Sequence, residues 1–172
     1  LVINAGSSSI KYQCFDMARQ SVLASGLVER IGEPVGRLVH RPTGRPVVER
    51  DGVIASHRDG LAQVAALLLD EIHGVIGSPD EITAVGHRVV HGGERFSAPT
   101  VIDEAVRQTI RDLSSLAPLH NPPNLVGIEV ASELFPDAIQ VAIFDTAFHQ
   151  TMPPEAYRYA IPTALYDEHK IR

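Results

Sequence analysis

The residues best equipped for chemistry fall into four short clusters. The first is Asn4-Ala5-Gly6-Ser7-Ser8-Ser9-Ile10-Lys11. A turn of small residues exposes backbone N–H groups, three hydroxyls add donors that rotate to meet oxygens, and Lys11 adds a point positive charge. Together they would cradle a phosphate. The segment is not a Walker A loop, which needs a second glycine before Lys-Ser/Thr and feeds a helix. Asn, Gly and Ser also build ordinary polar hairpin turns, so the segment alone leaves both readings open.

The second cluster is Gly86-His87-Arg88-Val89-Val90-His91-Gly92-Gly93. On a strand, alternation sets Arg88 and Val90 on one face and His87, Val89 and His91 on the other. A guanidinium fork beside a small apolar side chain suits a short carboxylic acid: the fork takes the carboxylate and the valine meets the alkyl end. A surface ion pair is the competing use of Arg88. The two histidines would stand roughly 13 Å apart, too far to share one metal, so both read as structural. The third cluster is Leu119-His120-Asn121, before a helix start, where His120 could reach a phosphoryl oxygen with help from the helix dipole. The fourth holds Asp145, in Ile143-Phe144-Asp145-Thr146. It stands just past the carboxyl end of a strand, where open α/β sheets favour ligands.

The elements that must position these groups are legible from periodicity. Leu1–Ile3 and Ile10–Phe15 read as a hairpin around the serine turn, with Val22–Val28 as a third strand. Arg37–His40 and Pro46–Glu49 flank a Pro42-Thr43-Gly44 turn, and Pro46 would suit the first position of an edge strand. Leu61, Val64, Ala65, Leu68 and Ile72 make the stripe of an amphipathic helix, with Asp59 as its cap and Gly74 and Gly77 as stop signals. Ile82–Val90 returns to strand. A helix opens near Asp103, and Asn121-Pro122-Pro123 opens another with Asn121 as its cap. Ile139–Phe144, apolar but for Gln140, reads as a strand covered on both faces. Pro153–Arg172 reads as mostly irregular. The sum is an α/β layer with a mixed sheet, antiparallel at first and then joined by helical crossovers.

Composition bounds the function. The chain has 172 residues and a net charge of −6, which argues against nonspecific nucleic-acid binding through phosphate neutralisation. The single cysteine, Cys14, excludes an internal disulfide framework and a four-cysteine zinc site. No apolar run reaches the roughly 18 residues of a membrane span, and no basic-then-apolar leader opens the chain. A cytoplasmic location is the expectation, and the lack of a starting Met predicts missing upstream residues.

The four clusters resemble the acetate kinase family. Leu1 to Tyr12 looks like its opening signature. Gly86 to Glu94, Pro118-Leu119-His120-Asn121-Pro122-Pro123-Asn124 and Val141 to His149 resemble three further motifs, in order and with the expected gaps. The resemblance implies an actin-like ATPase (ribonuclease H-like) fold, an α/β mixed sheet flanked by helices, in which two related domains close over a cleft. It implies reversible transfer of the ATP γ-phosphoryl group to acetate with Mg²⁺, and a homodimer in the full-length form. Carried over by position, it implies Asn4 at the magnesium site and Ser7, Ser9 and Lys11 at the nucleotide phosphates. Arg88 would meet the acetate carboxylate, and Val90 and Leu119 would wall its methyl group. His120 would support the site, and Asp145 would be a proton donor/acceptor or organise the metal. Family chains are more than twice as long, continuing into a Gly-Phe-His-Gly-Thr-Ser-His segment and a second nucleotide-binding domain. Residues 1–172 therefore correspond to the amino-terminal domain, expected to be inactive alone. Propionate or butyrate in place of acetate, or a non-catalytic nucleotide-binding module of the same fold, are the alternatives.

Overall fold

The computed structural model describes residues 1–172 and builds them around one sheet of eight strands, ordered β5-β4-β3-β2-β1-β6-β8-β7. β1 (Val2–Ala5), β2 (Ser9–Asp16), β3 (Ser21–Glu29), β4 (Gly36–Pro42) and β5 (Val48–Gly52) form an antiparallel meander. β6 (Ala84–Val89) joins β1 in parallel and β8 (Ile139–Phe144) joins β6 in parallel, while the short β7 (Thr100–Val101) closes the far edge antiparallel. The expected switch from hairpins to crossovers thus falls at β1, which pairs antiparallel with β2 on one side and parallel with β6 on the other. Pro46 lies outside β5, which begins only at Val48.

Three helices cover one face: α1 (His57–Leu68), α2 (Glu104–Asp112) and α3 (Asn121–Leu134). The alternate residues Ile3, Ala5, Ile10, Tyr12 and Cys14 meet Leu61, Val64 and Leu68 of α1 and Val130 of α3 in the larger core. Val89, Ala142 and Phe144 meet Val106, Ile110, Leu125 and Ile128 in a smaller core beneath α2. Asp103 caps α2 as expected, accepting the N–H of Val106 at 2.8 Å.

Other boundaries differ from expectation for local reasons. Ser56, not Asp59, caps α1, and Asp59 reaches back to the N–H of Ala55, so the two satisfy each other's neighbours. Helix α1 stops at Leu68, and Ile72 lies beyond it, exposed. The Asp70 carboxylate takes the N–H groups of Ile72 and His73, turning the chain before Gly74 or Gly77 is reached. Asn121 begins α3, but its side chain is buried and spent elsewhere. The strand β8 is covered on one face only: Gln140, Ala142 and Phe144 are buried, while Ile139 and Ile143 are 56% and 42% exposed. The tail contains α4 (Pro154–Tyr157) and α5 (Thr163–His169), neither with a buried residue. No helix is long and apolar enough to cross a membrane.

Candidate active site

Because β1, β6 and β8 run in parallel, their carboxyl ends lie along one edge of the sheet. Asn4, next to last in β1, lies on the face away from the helices and stands opposite Lys11 of β2. Arg88, next to last in β6, lies on that same outer face, since its neighbours His87 and Val89 turn into the core. Asp145 follows the last residue of β8 and opens a turn of 3₁₀ helix over Asp145–His149. The guanidinium of Arg88 meets the Asp145 carboxylate, Nη2 to Oδ2, at 2.5 Å. The two side chains are 41% and 44% exposed, so solvent screens the pair and each has free edges for a ligand. Both uses of Arg88 envisaged from the sequence are thus compatible: one edge of the fork holds Asp145 and its other N–H groups remain available.

The serine turn joins β1 to β2 beside Asn4. Gly6 N–H closes the turn on the Ser9 carbonyl at 2.8 Å. The N–H groups of Ser7 and Ser8, and all three serine hydroxyls, donate to no group of the chain. Ser7, Ser8 and Lys11 are exposed and Lys11 has no ion-pair partner. A shallow cavity of about 380 Å³ on the outer face reaches Asn4 and Lys11, continuing over Gln13 and Ser25 to Arg41. It does not extend to Arg88 or Asp145.

Val90 lies just past β6, half-buried, with its N–H held by Oδ1 of Asn124 at 3.1 Å. The same Asn124 amide donates to the Ala5 carbonyl at 2.6 Å, tying the ends of β1 and β6 to the first turn of α3. Asn121 works in parallel: it accepts the N–H of His91 at 3.1 Å and donates to the carbonyls of His91 and Ile110. Leu119 and His120 stand on the rim just ahead of this turn, Leu119 70% exposed. The helix start itself offers no free backbone donor. Asn121 and Asn124 give their N–H groups to Ala117 and His120 carbonyls, and prolines occupy the two positions between. An anion near His120 would therefore meet the imidazole alone, not the N–H cluster that a helix N-terminus otherwise presents.

The two strand histidines are structural, as their spacing implied. His87 is buried, with Nε2 against Oε1 of Gln140 at 2.8 Å. Burial lowers its pKa to about 4. His91 lies beyond the strand end and accepts the N–H of Gly93 at Nδ1, 3.0 Å away. Burial, and next the charge of Arg172, hold its pKa below the usual value.

Residues given no site role by sequence pattern also shape this edge. Asn121 and Asn124 lie inside the Pro118–Asn124 motif, but their roles depend on distant backbone. Thr146 accepts the N–H of Gly92 at 2.9 Å, linking the turn after β8 to the loop after β6. His57, the first residue of α1, reaches the Gly6 carbonyl with Nε2 at 2.6 Å. No local pattern announces that contact across fifty-one residues.

No group of three or more His, Cys, Asp or Glu side chains is assembled to hold a metal. Asn4 and Asp145 supply hard oxygen donors at one edge. That donor set fits Mg²⁺, which keeps several waters and arrives bound to substrate phosphates, better than an ion caged by protein.

The model of the acetokinase family matches residues 1–172. Acetate kinase of Alkaliphilus metalliredigens is 51% identical over 172 residues, covering 100% of this chain and 43% of that protein. Acetate kinase of Flavobacterium johnsoniae is 54% identical with the same coverage, 100% and 43%. Among solved structures, Porphyromonas gingivalis acetate kinase superposes with a TM-score of 0.91 at 42% identity, covering 99% of this chain and 43% of its own. A propionate kinase from Francisella tularensis gives 0.88 at 36% identity, covering 99% and 42%. The chain spans less than half the length of the relatives it matches.

Proposed function

Because the chain belongs to the acetokinase family and has its actin-like α/β fold, we propose that it is the acid-binding, phosphate-gripping half of an acetate kinase. The complete enzyme transfers the γ-phosphoryl group of ATP to acetate, reversibly, giving acetyl phosphate and ADP. The observation that carries this reading is the placing of Arg88 at the carboxyl end of β6, in the same edge as the serine turn and Lys11.

Phosphoryl transfer depends on in-line positioning and on neutralising charge over the transferring oxygens. An acetate oxygen attacks phosphorus, and the bond to the bridging β–γ oxygen breaks as ADP leaves. The acid is already ionised at neutral pH, its pKa lying near 4, so no protein base is required to activate it. Arg88 orients the carboxylate through the donors not engaged by Asp145, and Val90 with Leu119 faces the methyl group. Ser7, Ser9 and Lys11 hold nucleotide phosphate oxygens, and His120 adds a donor from the rim. Asn4 and Asp145 would hold Mg²⁺ through its waters; the ion neutralises phosphate charge when it arrives with the nucleotide. The role of Asp145 is thereby to orient Arg88 and the metal's water rather than to move a proton. The family reading also carries a cytoplasmic homodimer for the complete enzyme.

Propionate is the second acid to consider, because a propionate kinase superposes on this chain with a TM-score of 0.88. One methylene is worth only about 1–3 kcal/mol in an apolar pocket, and Val90 and Leu119 are only part of that pocket. A bare nucleotide-binding module is disfavoured, since it has no use for a guanidinium beside an apolar wall.

The test is acid-dependent trapping of acyl phosphate as hydroxamate from ATP, using the complete polypeptide. Acetate should support it, Asp145→Asn should lower turnover and shift the magnesium dependence, and the 172-residue chain alone should give none. Full turnover in Asp145→Asn with normal magnesium dependence would remove its assigned role, and ATP consumption indifferent to any acid would remove the acetate kinase reading.

A further inference from the structure

A loop that grips an anion must show its N–H groups to the ligand and turn its carbonyls away, because an exposed carbonyl oxygen repels the phosphate that a neighbouring N–H attracts. In the serine turn this sorting is complete at three of four carbonyls. Ser9 O accepts Gly6 N–H at 2.8 Å, Ser8 O accepts Ile31 N–H at 3.0 Å, and Gly6 O accepts from His57 Nε2 at 2.6 Å. The first two partners are backbone. The third is the only side chain among them.

The Gly6–Ser7 peptide is where a fastening matters most. Glycine populates both halves of backbone space readily, so this peptide plane could turn over with little steric resistance. In a trans peptide the carbonyl of Gly6 and the N–H of Ser7 point to opposite sides. A donor that fixes the carbonyl toward α1 therefore aims the Ser7 N–H away from the helix, at an exposed residue. A Cβ at residue 6 would stand 3.3 Å from Ser9 Oγ, close enough to shift that hydroxyl.

His57 is well placed to bear on the turn. Ser56 and Asp59 close the start of α1 around it, and Leu61 and Val64 anchor the helix in the core. Arg58 pairs with Glu133 of α3, bracing the same turn from the solvent side. Since Gly6 O can only accept, Nε2 carries the proton, and the imidazole donates whether neutral or charged.

We infer that His57 is a positioning residue for phosphoryl transfer: by holding the Gly6 carbonyl it presets the Ser7 amide as a phosphate donor. The inference rests on the reading of the serine turn as a phosphate site.

The experiment is a titration of the complete polypeptide with inorganic pyrophosphate, followed through the Ser7 and Ser8 amide resonances. The unaltered chain should bind, His57→Phe should bind about tenfold more weakly, and His57→Gln, which keeps an N–H donor, should stay within about threefold of the original. Equal binding by His57→Phe would overturn the role of His57 while leaving the phosphate turn intact. No binding by the unaltered chain would overturn the phosphate reading and the inference with it. Should His57→Phe fail to fold, scalar coupling across the hydrogen bond from His57 Nε2 to the Gly6 carbonyl decides in the unaltered chain, and its absence counts against the role.

Discussion

At the scale of single residues, two buried asparagines tie the strand ends and loops of this edge to α3. Asn124 joins three elements with one amide, donating to Ala5 of β1 and accepting from Val90 after β6. Asn124→Ala would strand the buried Ala5 carbonyl, costing about 1–3 kcal/mol, while the half-buried Val90 N–H could turn to water. The chain should therefore lose about 1–3 kcal/mol in urea unfolding. A loss below about 0.5 kcal/mol would show that the amide does not bridge the strands. The sequence pointed to the right segment and the wrong use. Asn followed by two prolines signals a helix start, and α3 does start there. A capping preference reports only the nearest backbone, however. It carries no word of the His91 loop or of Ala5, more than a hundred residues away in the chain. Arg88 was legible for the opposite reason: strand alternation alone decides which way it faces, and its neighbours His87 and Val89 are buried as that rule requires.

Among the elements, the pairing of β6 with β8 contains a titratable link. The His87 imidazole donates to Gln140, whose own N–H₂ is fixed on the Ala138 carbonyl at 3.1 Å, so the ring must keep its proton at Nε2. Burial lowers the His87 pKa from 6.5 to about 4. A folded-state pKa below the unfolded one means the unfolded chain binds the extra proton first. Stability is full above about pH 6.5 and falls as the pH drops toward about 4, by a few kcal/mol at most. Urea midpoints measured from pH 7 to 4.5 should fall, and in His87→Asn that fall should be shallower by about one proton. An unchanged slope would mean that His87 titrates normally in the folded chain.

The tail is a second element-scale device. Tyr166 of α5 donates to Glu94, Arg158 lies over its ring at 4.1 Å and Lys170 at 5.0 Å, while Arg172 lies over Tyr157 at 4.8 Å. With no buried residue in either short helix, this cluster fastens the tail to the loop after β6. Glu94→Ala should speed trypsin cleavage after Arg158 and Lys170 several-fold at unchanged global stability; unaltered cleavage would show that the tail is held elsewhere. Periodicity could not foresee α4 and α5, because both lack a buried apolar stripe: cation–π contacts hold the tail together within itself, and Tyr166 and Arg172 tie it to Glu94. The strands other than the two-residue β7, and α1–α3, were visible in their alternation and stripes. The overestimate at β8 has a plain cause: an apolar run shows that both faces are greasy, not that both are covered.

Over the whole molecule, a sheet with helices on one face brings Asn4, Lys11, Arg88 and Asp145 to one edge on the other. The resemblance implied one shared site for the four motifs, and the parallel register of β1, β6 and β8 brings the strand ends level. Neither Arg88 nor Asp145 is enclosed, and the cavity beside Asn4 and Lys11 is shallow. Catalysis by 172 residues alone would leave the transferring phosphoryl group in water, where electrostatic stabilisation is weak. The central claim is that carboxylate and nucleotide meet at this edge. It is tested most directly by paramagnetic relaxation of ¹³C-carboxyl acetate by Mn²⁺·ATP bound to the complete polypeptide. The account predicts strong broadening of the carboxyl carbon when both ligands are present, abolished in Arg88→Ala. Broadening that persists in Arg88→Ala, or none in the unaltered enzyme, would contradict it.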